Sequence, residues 1–181
     1  MGQEYKLNTK SKTLKNFRLV AKTSFGLEQV LAKEIETIGG SNITTGNRAV
    51  FYEGDLEIIY KSNYLLRTAL RVLKEIELFR FKNVDQFYLK CKGIEWSKYL
   101  KIEQNFMINS TVVHSKDFSN SMFASLKAKD AIADYFREKT GKRPNVNTEN
   151  PEIVINLHIN QDSCTISLDS SGESLHKRGY R

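Results

Sequence analysis

The stretch EIVINLHINQDSCTISLDSSG, residues 152–172, constrains the fold more than any other part of the chain. Ile153, Ile155, Leu157 and Ile159 alternate with Val154, Asn156 and His158, and Cys164, Ile166 and Leu168 repeat the alternation after Asn160-Gln161-Asp162. Side chains of a strand point to opposite faces with a period of two, so this pattern predicts a hairpin with one apolar face. Such a face has to be covered, and the rest of the chain must supply the cover.

Helical segments do so. SFGLEQVLAKEIETIGG places Leu27, Val30, Leu31, Ile35 and Ile38 at helical spacing, with Ser24 as the expected N-cap and Gly39-Gly40 as the stop. FRLVAKT before it reads as a strand, while SNITT and RAVFYEG after it read as a hairpin turning at Gly46-Asn47. Asp55 is expected to cap LEIIYKSNYLLRTALRVL as a helix, which passes into a strand over residues 72–81. The order β-α-β-β-α-β is that of a ferredoxin-like unit over residues 17–81. Beyond it, VDQFYLKCKGIEWSKYL predicts one or two short helices, QNFMINSTVVHS a strand, and SNSMFASLKAKDAIADYFREKTG a long helix ending at Gly141. KRPNVNTENP, with both prolines of the chain, is a polar turn before the final hairpin. The fold class is α/β, more narrowly α+β, with residues 1–16 expected as a mobile basic arm.

The net charge of +7 is concentrated. Residues 1–22 carry six basic groups and one acidic, residues 127–143 six and three, and residues 174–181 three and none. These segments sum to +11, so the remainder carries −4. Concentrated positive charge on an acidic body fits a polyanion partner, while solvated faces and a flexible tail would look similar.

Catalysis finds little support. The chain has no glycine-rich phosphate loop, no G-x-S-x-G elbow and no H-E-x-x-H pair. Glu34, Glu36, Asp130 and Asp134 read as solvated carboxylates on helix surfaces. Cys91 and Cys164 are 73 positions apart and His114, His158 and His176 are scattered, so a metal site is not expected and both cysteines read as reduced packing residues. Without a segment apolar enough for a membrane span or a secretion signal, the expected location is the cytoplasm.

Binding features are better developed. If the helix runs through residues 58–74, Tyr60, Tyr64, Arg67, Arg71 and Lys74 share one face, where they offer rings and guanidiniums to RNA or flank a core. On the long helix, at about 100° per residue, Met122, Leu126, Ala133 and Phe136 form a stripe with Lys129 in its middle. That lysine must snorkel, pair with a carboxylate or meet a phosphate. Lys127 adds charge nearby, and Lys142, Arg143 and Asn145 in the exposed turn are stronger phosphate candidates. His176, Lys177, Arg178 and Tyr180 form a last basic and aromatic cluster.

A family resemblance rests on MFASLKAKDAIADYFREKTGKRPNVNTENPEIVINLHI, on SLDSSGESLHKRGYR, and, earlier in the chain, on GLEQVLAKEIETIGG, VFYEGD and LLRTALRVL. From Phe17 to Arg181 the chain resembles the N-terminal half of the THUMP-containing ribosomal RNA methyltransferases. These are bacterial enzymes similar to the 23S rRNA guanine-N2 methyltransferase and often labelled N6-adenine-specific DNA methylases. The resemblance implies a ferredoxin-like subdomain over 17–81, a THUMP core over 82–170 with a family-style boundary near 57, and a junction over 171–181 leading to a methyltransferase domain. It implies structured RNA, ribosomal RNA above all, as the partner, with the methyltransferase domain as a second one. S-adenosylmethionine is expected in that domain and no cofactor or metal in this region. Lys129 and Asp130 of KDA, Arg143, Pro144 and Asn145 of RPN, and His176, Arg178, Gly179 and Tyr180 match the family's landmarks. The alternative is a protein-interaction or interdomain docking module with a basic surface.

Overall fold

The computed structural model describes residues 16–172 and 174–179. The first unit runs β1 (Phe17–Thr23), α1 (Glu28–Thr37), β2 (Ser41–Gly46), β3 (Ala49–Gly54), α2 (Leu56–Leu65) and β4 (Ala69–Arg80). Then follow α3 (Val84–Lys92), a 3-10 turn at Trp96–Lys98, β5 (Asn105–Val113), α4 (Ser121–Thr140), β6 (Asn145–Val146), β7 (Ile153–Asn160) and β8 (Ser163–Asp169), with a last 3-10 turn at Leu175–Lys177. All eight strands form one sheet in the order β2-β3-β1-β4-β8-β7-β5-β6. The first four are antiparallel in the expected ferredoxin-like order, and β5 runs parallel to both β7 and β6.

The twelve residues of β4 join the two halves. Ala69 to Lys74 pair with β1, and Leu73 to Arg80 pair with β8. Facing residues in a ladder share a face, so the register carries one face across the sheet: Leu19 lies opposite Lys74, and Lys74 opposite Leu168. On this face Leu19, Ala21, Val50 and Tyr52 pack with Leu31 and Ile35 of α1 and Ile58 and Ile59 of α2. On the same face Ile155, Leu157, Ile159 and Ile166 pack with Phe87 of α3 and Ile132 of α4. All four helices therefore cover one side of the sheet. The buried thiols Cys91 and Cys164 belong to the second core, and burial pushes both pKa values up.

Three local expectations change. First, α1 begins at Glu28, and Ser24 makes no cap; the Glu28 carboxylate instead accepts from the Gly26 and Arg48 amides at 2.8 and 3.0 Å. Second, the positive φ of the β2–β3 turn falls on Arg48, at 54°. Third, α2 ends at Leu65, with Leu66 already extended and buried. The reason is Glu34 on α1, which accepts from the amides of Arg67 and Thr68 and from the Thr68 hydroxyl at 2.9 to 3.1 Å. A carboxylate read as solvated thus organises the α2–β4 turn. Tyr60, Tyr64, Arg67, Arg71 and Lys74 consequently do not share a helix face.

The long helix α4 behaves as expected at its ends. The Asn120 side chain accepts from the Phe123 amide at 2.7 Å, and Gly141 closes the helix at φ 72°. Its buried face differs, consisting of Ala124, Ala128, Ala131, Ile132, Tyr135 and Phe136. Met122 and Leu126 are 73% and 47% exposed, so Lys129 is not in the middle of a buried stripe. Small side chains bring α4 close to its neighbours, and a reading based on large apolar residues rotates the helix wrongly. Asn120→Ala should cost about 1 kcal/mol by loss of the cap. Urea denaturation followed by circular dichroism would show it as a lowered midpoint with an unchanged slope.

Candidate nucleic-acid interface

The α4 helix and the segment after it enclose a cleft of about 620 Å³. Gly141 turns the chain back, and Pro144 is buried while Lys142 and Arg143 remain exposed. The pairing of Asn145 and Val146 with Asn105 and Phe106 then fixes this segment as the sheet edge, aided by the Asn147 amide donating to the Phe106 carbonyl at 3.0 Å. Both walls bear cations. Lys127, Lys129 and Arg137 come from α4, and Arg143, with the neutral amide of Asn145 beside it, from the edge segment.

Two carboxylates temper this charge. Asp134 accepts from the Tyr88 hydroxyl at 2.6 Å and pairs with Arg137 at 2.9 Å, while Asp130 lies 3.2 Å from Lys129. The hydrogen bond to Asp134 is the main cause that pushes the Tyr88 pKa up to about 12, so the hydroxyl remains a donor at neutral pH. Lys142 and Arg143 have no ion pair among the described residues, and Lys127 only faces the Phe123 ring at 5.7 Å. Unpaired cations beside an open, polar cleft can neutralise phosphates.

The structure thus brings together Lys127, Lys129, Arg143 and Asn145, with Lys142 next to them in the turn. The i, i+4, i+8 spacing of Lys129, Ala133 and Arg137 could have added Arg137 to the set; Tyr88, on another helix, left no local signal. The remaining candidates lie elsewhere. Arg67 is exposed in the α2–β4 turn. Arg71 pairs with Asp169, whose side chain is 1% exposed, and donates to the Gly172 carbonyl at 3.2 Å. This guanidinium holds β4 to the end of β8.

The final segment does not hang free. Leu175 is buried in the core of the ferredoxin-like half, and Ser174 donates to the Leu70 carbonyl at 3.2 Å. Arg178 donates to the carbonyls of Asn63, Tyr64 and Leu66, with the Leu66 bond at 2.6 Å, so it caps the C-terminus of α2. His176 and Lys177 are exposed, and the His176 ring meets the Ser174 hydroxyl at 2.7 Å. Tyr180 lies outside the described residues, as do residues 1–15 of the expected arm. Among the described residues no group of three His, Cys, Asp or Glu comes together to hold a metal, and no helix is long and apolar enough to cross a membrane.

A ferredoxin-like unit joined to an α/β unit with this basic edge defines a class that comparison with known proteins makes specific. Residues 18–73 match the RlmL ferredoxin-like domain, and residues 81–169 match the THUMP domain. The chain is 40% identical over 158 residues to the ribosomal RNA large subunit methyltransferase K/L of Marinomonas sp., covering 86% of this chain and 22% of that protein. It is 37% identical over 163 residues to the protein of the same name from Buchnera aphidicola, covering 90% and 23%. Among solved structures, a protein from Clostridium difficile described as a possible methylase superposes with a TM-score of 0.81 at 33% identity, covering 92% of this chain and 44% of that one. The chain therefore consists of an RlmL-type ferredoxin-like domain followed by a THUMP domain, the region it shares with these ribosomal RNA methyltransferases. It spans less than a quarter of the length of the two curated relatives.

Arg178→Ala should remove the guanidinium from the end carbonyls of α2 and loosen residues 174–179. Faster tryptic cleavage after Lys177, with a lower melting temperature, would be the readout; unchanged cleavage would mean that the segment is held without Arg178, by contacts such as those of Leu175 and Ser174.

Proposed function

We propose that this chain is the RNA-binding region of an S-adenosylmethionine-dependent ribosomal RNA methyltransferase, which presents large-subunit RNA to a catalytic domain. The carrying observation is the cleft between α4 and the β6 edge, where Arg143 and Lys127, with Lys142 in the adjoining turn, have no carboxylate partner among the described residues. Their reach is that of phosphate pairing, which supplies affinity without reading sequence. The domain models and the names of the relatives support RNA as the polyanion, since charge alone does not separate RNA from DNA.

Methyl transfer is assigned to the catalytic domain. The strand-to-helix turns that hold a glycine here have one each, Gly26 and Gly54, and a Cβ on Gly54 would lie 2.5 Å from Ile58, so that space is filled by the protein itself. These turns do not fit a glycine-rich cofactor loop. The methyltransferase domain is proposed as a partner, and the cytoplasm as the place of action, consistent with a ribosomal substrate.

Replacing Lys142 and Arg143 together by alanine should weaken binding to every structured RNA alike. The slope of log affinity against log salt should flatten by about 1.5 to 2, one increment for each phosphate no longer neutralised. A salt series with a ribosomal RNA hairpin measures this. An unchanged slope would remove the turn from the site and favour a basic surface that docks another protein domain.

A further inference from the structure

The face of the sheet opposite the helices is built for a ligand of its own. Among the described residues no helix covers it, and from β3 to β5 six adjacent strands form a shallow cleft of about 640 Å³. Strand spacing makes this surface about 24 Å wide. Its apolar floor is small, consisting mainly of Val20, Ala49 and Leu73. Around the floor stand Lys22, Arg48, Phe51, Asn156, His158 and Asn160, and no carboxylate lines the cleft.

Two of these groups lack the partners that their burial calls for. Lys22 has neither an ion pair nor a side-chain hydrogen bond among the described residues, and burial holds its pKa below the usual lysine value. The Nδ1 atom of His158 is buried without a partner among the described residues; desolvation, then the charge of Lys22, lowers the pKa of that ring. An anion in the cleft would pair with Lys22 and, by offsetting that charge, ease its effect on the His158 ring. Phe51, on β3 beside the edge strand β2, is 46% exposed. One part of its ring lies over Gly46, where an added Cβ would come within 2.8 Å of it. A stacking ring, cations, and amides able to meet base edges suit unpaired nucleotides; a duplex stacks its base faces away and uses its Watson–Crick edges for pairing.

We propose that this helix-free face is a docking surface for a single-stranded RNA segment, with a base stacked on Phe51 and phosphates paired with Lys22 and Arg48. The proposal rests on reading the chain as RNA-binding and adds a second surface, separate from the cleft at α4. RNA bound in duplex form by the α4 edge would continue as a single strand across the sheet.

The test uses the whole 181-residue chain with two probes, a fluorescent oligoribonucleotide of about ten unpaired nucleotides and a ribosomal RNA hairpin with a minimal loop. Phe51→Leu keeps the cover over Gly46 and removes the aromatic face; Lys22→Gln removes one charge. Each should weaken the single-stranded probe by about fivefold or more, and the hairpin by less. Arg143→Ala should show the reverse preference, and thermal melting confirms that each variant is folded. If both sheet-face variants bind the oligoribonucleotide as the parent does while Arg143→Ala still weakens the hairpin, the sheet-face site is wrong and the RNA-binding reading stands. If the parent chain binds neither probe, both readings fall.

Discussion

The pairing of one strand with two partners governs this structure. β4 pairs with β1 along its first half and with β8 along its second, and where β8 ends the Ser170 amide and the Ser171 hydroxyl meet the main chain of Val72. The ferredoxin-like and THUMP units therefore share a ladder of hydrogen bonds. Their hydrophobic cores stay separate, yet both lie on the same side of one sheet. The ion pair of Arg71 with the buried Asp169 locks the same seam from the side. The basic cleft at the β6 edge and the final segment docked on α2 are then fixed to a single platform.

Charge follows from this frame. The body of the chain is acidic, yet many of its carboxylates are engaged in structure: Glu28 and Glu34 hold turn amides, Asp169 holds Arg71, and Asp134 holds Tyr88 and Arg137. Carboxylates used in this way are not free to neutralise distant lysines and arginines. The surplus cations consequently emerge where the backbone turns outward, at Lys142 and Arg143 after the left-handed Gly141. That location owes more to the end of a helix than to any property of the basic residues themselves.

What could be read from the sequence was what local periodicity determines. The β7–β8 hairpin, the β-α-β-β-α-β order, the cap at Asp55 and both ends of α4 depend on residues within a few positions of one another. The end of α2 depends on Glu34, more than thirty residues away, and the run from Leu65 to Leu73 satisfies a helical period as well as an extended one. The buried side of α4 was obscured because alanines carry little apolar weight but permit close packing. Among the site residues, Lys127, Lys129, Arg143 and Asn145 converge because helix and turn are contiguous in the chain. Arg71 and Arg178 look identical to them in sequence and are drawn into the frame by Asp169 and by the α2 carbonyls, partners about a hundred residues distant.

A sheet with helices on one side only presents two different chemistries at once. The helix side ends in an edge where cations project beyond the backbone, a geometry that grips phosphates without discrimination. The other side offers a shallow cleft lined by a ring, amides and cations, the surface proposed above for a flexible single strand. Covering that second side with further helices would have satisfied the apolar floor, but Val20, Ala49 and Leu73 make too small a patch to demand it. The polar residues that alternate outward from β7 and β8 keep the face stable while uncovered, so the same alternation that first announced the hairpin also leaves this surface available.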